Sequence, residues 1–227
     1  MATEPDREES AFLNRAEAGD VLAGQLRGFA GRRDVVVLGL PRGGVPVAAV
    51  VADALGAPLD VFSVRKLGVP GHRELAMGAI ASGGARVLNY ELISELRISD
   101  QAVAAVIAEE GEELARRERV FRAGRPPLEL AGRIAVVVDD GLATGSTMTA
   151  AVQALRDLGP SRVVVAVPVG SADACRNLEA IADEVICARI PRSFVAVGQW
   201  YRDFSETSED EVKRLLHRAS AHAAGTS

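Results

Sequence analysis

Between Asp139 and Thr147 the chain holds two adjacent carboxylates (Asp139, Asp140), two glycines (Gly141, Gly145) and three hydroxyls (Thr144, Ser146, Thr147). These residue types divide the chemistry between them. Glycines permit tight turning and close approach, and hydroxyls with free amides at a helix start can hold a phosphate. The carboxylates repel that phosphate. They suit the vicinal hydroxyls of a ribose, or a magnesium ion held through water. Phosphate at one end and sugar at the other describe a ribose 5-phosphate site. The bland alternative is a helix capped by Ser146 after a strand that ends in solvent.

A second glycine turn, Pro41-Arg42-Gly43-Gly44, follows an apolar run, so its amides and the Arg42 fork could take another anion. A glycine turn of this kind is by itself more often only a turn. Further cations stand at Arg65-Lys66, where the next strand is expected to end, and at Arg73 beside Glu74. Ordinary surface charge explains such residues equally well. Neither loop reads G-x-G-x-x-G, and no Gly-Lys-Ser/Thr closes a nucleotide-triphosphatase loop.

These loops need a frame that places them at strand ends. The runs at 35–40, 59–64, 134–138, 162–168 and 184–188 read as buried strands. They alternate with helical patterns at 18–31, 45–55, 146–158 and 172–182. Such alternation implies an α/β fold with a mainly parallel sheet flanked by helices, whose ligands sit beyond the carboxyl ends of the strands. The polar, glycine-bearing stretch 65–73 reads as a mobile loop, and the pieces around Ser82-Gly83-Gly84 as a hairpin. Residues 91–122 carry a charged amphipathic stripe and form a helical insert, and Arg125-Pro126-Pro127 breaks it. From 189 the chain is a C-terminal tail, a small hood with an aromatic cluster, then a helix opened by Ser208-Glu209-Asp210-Glu211.

Composition agrees with this frame. A chain of 227 residues, 48% hydrophobic with only 4% aromatics, suits one domain (1–227) of helices packed on a Val-rich sheet. The formal charge of -5 gives no general attraction for nucleic acid or an anionic membrane. No apolar run approaches the ~18 residues of a membrane span, and residues 1–10 lack an apolar signal core. Cys175 and Cys187 have no metal-ligand spacing and suggest no disulfide framework, so a soluble chain in a reducing cytoplasm is expected.

Val136 to Thr147 closely resembles the phosphoribosyl pyrophosphate (PRPP) signature of type I phosphoribosyltransferases, nearest the adenine type. A weaker likeness of order and spacing extends from Val35 to Leu158. The resemblance implies that Asp139 and Asp140 bind the ribose hydroxyls and that Ala143, Thr144, Gly145, Ser146 and Thr147 bind the 5-phosphate, with Gly141 a further PRPP-binding residue. It likewise implies that Pro41, Arg42, Gly43 and Gly44 form the pyrophosphate loop, with Arg65 and Lys66 near pyrophosphate. Arg42, Lys66, Asp139 and Asp140 would then carry catalysis. Magnesium would be the cofactor, contacting Asp139 and Asp140 through substrate or water. PRPP and a base would be the partners, with a homodimer as the family's expectation.

Hypoxanthine and guanine members place a third acid where this chain has Ala143, so that chemistry is not expected here and the general base stays unassigned. Phe194 and Trp200 loosely resemble the base-stacking end of purine members, and they could equally pack the edge of the core. The 91–122 insert could cover the site or form a dimer surface. A chain of 227 residues is short for a two-domain PRPP synthetase, and neither cysteine lies where an amidotransferase keeps its N-terminal nucleophile. Two readings follow: transfer of ribose 5-phosphate to a nitrogenous base with release of pyrophosphate, or a PRPP-binding regulator without turnover.

Overall fold

The computed structural model describes residues 11–122, 124–125 and 128–225. Five strands, β1 (Val35–Gly39), β2 (Leu59–Val61), β6 (Ile134–Val138), β7 (Arg162–Val169) and β8 (Glu184–Arg189), form one parallel sheet in the order β2-β1-β6-β7-β8. Every residue of β1 and β6 is buried, because helices cover both faces. The Val runs serve both layers by alternation. Val35, Val37, Ile134, Val136 and Val138 face a core built with α1 (Arg15–Gln25), α2 (Gly44–Leu55) and α7 (Glu209–Gly225). Val36, Leu38, Ala135 and Val137 face α5 (Ser146–Arg156) and α6 (Ala172–Glu179).

Register then fixes the site. Gly39 lies opposite Val138, so β1 and β6 end level and their following loops leave the sheet side by side. The Leu40 amide donates to the Val138 carbonyl at 2.9 Å, carrying the pairing one residue further. From β1 the chain winds one way to β2 and the other way to β6, and ligands collect in the crevice at such a switch point.

A second unit differs from expectation. The stretch 65–73 is not a loop but the first strand and turn of an antiparallel hairpin of β3 (Val64–Val69) and β4 (His72–Ala81), turned at Pro70-Gly71 with Gly71 at φ +81°. The expected strand 59–64 is accordingly cut at Val61, and a new strand begins at Val64. Polar side chains hid this strand, because pairing with β4 and burial of Leu67 and Val69 define it instead of hydrophobic runs. β5 (Arg86–Leu88) completes the sheet beyond a 3-10 turn at Ser82–Gly84. The segment 91–122 becomes α3 (Tyr90–Glu95) and α4 (Asp100–Arg122). Val103 and Leu114 of α4 join Leu67, Val69, Met77 and Ile80 in a separate small core. Of the Arg125-Pro126-Pro127 break, Pro126 and Pro127 lie outside the described residues.

Two local corrections follow. The first helix stops at Gln25, and Arg27–Phe29 forms a 3-10 turn before Gly31 at φ +71°. Cys175 on α6 and Cys187 on β8 form a disulfide with Cα atoms 6.9 Å apart. Their spacing of 12 residues carries no sequence signature; the packing of α6 onto β8 brings them together. Cysteine usage therefore no longer argues for a reducing compartment. No helix is long and apolar enough to cross a membrane among the described residues.

Candidate functional site

The β6–α5 loop begins with Asp139 and Asp140 where the sheet ends. Gly145, at φ +73°, turns the chain into α5 without a side-chain cap on the helix. Thr144, Ser146 and Thr147 are exposed around this helix start. The Thr144 and Ser146 hydroxyls lie 3.0 Å apart, and the Ser146 amide reaches Thr144 Oγ1 only at a long 3.4 Å. Exposed hydroxyls and uncapped amides thus meet at one helix start, a combination suited to a phosphate.

Behind it, the turn between β7 and α6 braces the loop. Leu142 donates to the Val169 carbonyl, the Ser171 amide donates to the Leu142 carbonyl, and the Ser171 hydroxyl donates to the Ala143 carbonyl at 2.7 Å. Ser171 also caps α6 by accepting from the Ala174 amide. One hydroxyl therefore ties helix and loop together.

The β1–α2 loop packs directly on the carboxylates. Its Pro41–Arg42 peptide bond is cis. A Cβ on Gly43 would fall on Oδ2 of Asp140, and one on Gly44 would stand 2.6 Å from the Val138 carbonyl and 2.8 Å from the Asp139 Cα. Only hydrogen fits at both positions, so both glycines are required by close approach and neither by a positive φ. Pro41 sits at the start of this turn, and Arg42 is exposed and forms an ion pair with Glu206 of the tail.

Electrostatics separate the paired acids. Burial, then the Asp140 charge, pushes the Asp139 carboxyl well above the usual carboxylate range, while Oδ1 of Asp139 accepts the Asp140 amide at 2.9 Å. Burial also raises Asp140, and Arg15 of α1 opposes it. Arg15 sets Nε and Nη2 on Asp140 Oδ2 at 2.9 and 2.8 Å, with both side chains largely buried. Tyr201 donates its hydroxyl to the Asp140 carbonyl at 2.6 Å, and burial raises its pKa.

Other expected residues lie elsewhere. Arg65 and Lys66 do not end a strand; they sit inside β3. Arg65 is tied to Glu110 of α4, and exposed Arg73 to Glu109. Lys66 is exposed and has no ion-pair partner among the described residues. Phe194 and Trp200 pack with Phe12, Ala18, Val169 and Tyr201 at the edge of the core, the arrangement in which the aromatics serve packing. The structure thus brings Pro41 to Gly44 together with Asp139 to Thr147, and it gives Arg65 a local partner.

Arg15, Ser171, Tyr201 and Glu206 are the contacts that sequence reasoning missed. Arg15 is 125 residues from Asp140 and belongs to no motif. The aromatic tail was the one visible signal for Tyr201.

Comparison with known proteins adds an independent line. The family described as phosphoribosyl transferase domain matches residues 11–204. Two Mycobacterium tuberculosis relatives, from strains CDC 1551 and H37Rv and provisionally named phosphoribosyl transferases, are each 51% identical over 208 residues. The match covers 92% of this chain and 47% of theirs, so the chain spans about half the length of these relatives. The crystal structure of the protein TT1426 from Thermus thermophilus is 44% identical, with a TM-score of 0.82, over 92% of this chain and 98% of that one.

Proposed function

The chain belongs to the phosphoribosyl transferase domain family, and from that premise we propose that it transfers ribose 5-phosphate from PRPP to a nitrogenous base or related nucleophile, releasing pyrophosphate. The observation that carries this reading is the juxtaposition at the β1/β6 switch point. There the Asp139-Asp140 pair, which leads into the uncapped start of α5, packs against a glycine loop that only hydrogen side chains let close.

In this reading the 5-phosphate sits at the start of α5, against the Gly145 to Thr147 amides and the Thr144 and Ser146 hydroxyls. The ribose hydroxyls donate to the carboxylates. Asp139 Oδ1 is already engaged by a backbone amide and Asp140 Oδ2 by Arg15, so each carboxylate has one oxygen left for a hydroxyl. As the bond from the anomeric carbon to pyrophosphate breaks, positive charge grows on the sugar ring, and the adjacent carboxylates favour it. Arg42 and the amides of its loop meet the departing charge, which must displace Glu206 from Arg42. Lys66 is available as a further cation.

Magnesium suits the donor set. Among the described residues no cluster of three or more metal-binding side chains exists, and Mg²⁺ is usually held by one or two carboxylates together with substrate phosphates. When bound, it would neutralise charge on the diphosphate. Asp139 and Asp140 would hold it through substrate or water.

The test is pyrophosphate release from PRPP and magnesium across a panel of purine and pyrimidine bases. Release with one base supports transfer. PRPP binding with no release from any base would replace the enzyme by a PRPP-sensing protein.

A further inference from the structure

Asp140 is held from outside its own loop. Nε and Nη2 of Arg15 both donate to Oδ2 of Asp140, and Nη1 donates to the Ser205 carbonyl at 2.7 Å. The Phe204 ring covers the guanidinium at 4.2 Å from its centroid, with Tyr201 at 5.9 Å. Each contact uses a different property of arginine: its planar fork, its third nitrogen and its stacking face.

The placement of Arg15 is itself determined. Asn14 caps α1 by accepting from the Ala16 and Glu17 amides, which makes Arg15 the first helical residue. Before it, the Phe12 amide donates to the Trp200 carbonyl, and Phe12 and Leu13 accept from Arg202 and Asp203. A short parallel pairing of the N-terminal segment with the tail thus aims Arg15 at the end of β6.

We propose that Arg15 is a positioning residue of the ribose site. It pins Oδ2 of Asp140 so that Oδ1 is presented to a ribose hydroxyl, which makes sugar recognition depend on α1 and the C-terminal segment as well as on the β6–α5 loop. This rests on the PRPP reading above. A lysine at the position keeps the charge but cannot bind Asp140 and Ser205 at once while lying flat under Phe204. Charge and positioning therefore come apart in one substitution.

The experiment is calorimetric titration of wild type and Arg15→Lys with two probes, ribose 5-phosphate and inorganic pyrophosphate, each with magnesium. Retained circular dichroism shows that the variant is folded. We expect the variant to lose roughly tenfold or more in affinity for ribose 5-phosphate, with pyrophosphate affinity unchanged. Equal loss for both probes would mean general loosening of the site and would overturn the proposal, as would unchanged affinity for ribose 5-phosphate. Wild type with no affinity for ribose 5-phosphate sinks the PRPP reading and this inference together, a pattern distinct from the other two. If Arg15→Lys does not fold, Phe204→Leu replaces it, with the same selective loss expected at smaller size and its absence overturning the proposal.

Discussion

Two charged regions of the molecule hold their charge in opposite ways. At the β1/β6 switch point two carboxylates are crowded against each other, against a glycine loop and away from solvent, with Arg15 touching only Asp140. In the β3–β5 unit the cations Arg65 and Arg73 are matched one to one by Glu110 and Glu109 of α4. Charge held in an unfavourable place requires the surrounding fold to enforce it, and such enforcement is characteristic of binding sites. Charge paired locally needs no further role. The difference directs attention to the crowded pair and away from Arg65.

The largest effect should come from filling the contact between the two loops. Gly43→Ala puts a methyl group where Asp140 Oδ2 stands, so the β1–α2 loop must shift. We expect about a hundredfold loss of PRPP affinity, in keeping with overpacking costs of ~1–3 kcal/mol. Gly111→Ala in α4, where nothing lies within 4 Å, should leave affinity untouched. Titration of both variants checks the pair, and equal behaviour would erase the contrast between the units.

A pH series sharpens the same point. Asp139 has a raised carboxyl pKa in the folded protein. Below the unfolded value of ~3.9 the group is protonated in both states and costs nothing. Above it the unfolded chain gives up the proton first, so stability falls as pH rises through the folded pKa. Asp139→Asn removes that slope. The variant should melt above wild type at pH 7, and the gap should shrink on acidification. Thermal unfolding at several pH values measures it, and a gap independent of pH would contradict the burial argument.

The smallest contrast lies within β3. Lys66→Ala should weaken PRPP binding by about tenfold, the worth of one charge-assisted contact. Arg65→Gln should change it by less than about threefold, because its guanidinium is already committed to the part-buried pair with Glu110 of α4. Competition binding with both variants ranks them, and the reverse order would return Arg65 to the site.

Much of this architecture was legible in the sequence. Val35 to Leu38 and Ile134 to Val138 are continuous apolar runs because both faces of a parallel sheet are covered, and the Asp-Asp-Gly to Thr-Gly-Ser-Thr order carries its own chemistry. β3 was not legible, since a strand defined by pairing and by a helix laid over it needs no apolar run of its own. Arg15 was invisible for a different reason. Nothing local marks an arginine whose partner is 125 residues away, and the pairing of Phe12 with Tyr201, with the packing of α1 on α2, brings it to Asp140. The disulfide belongs with it, as a contact made by packing.

The central claim is that Asp139 and Asp140 hold the ribose of PRPP, and one titration addresses it directly. PRPP with magnesium is added to wild type and to the Asp139→Asn, Asp140→Asn double variant, following heat or the fluorescence of Trp200, with circular dichroism confirming the fold. The account predicts saturable binding to wild type and none to the folded double variant. Equal affinity in the two proteins would contradict it.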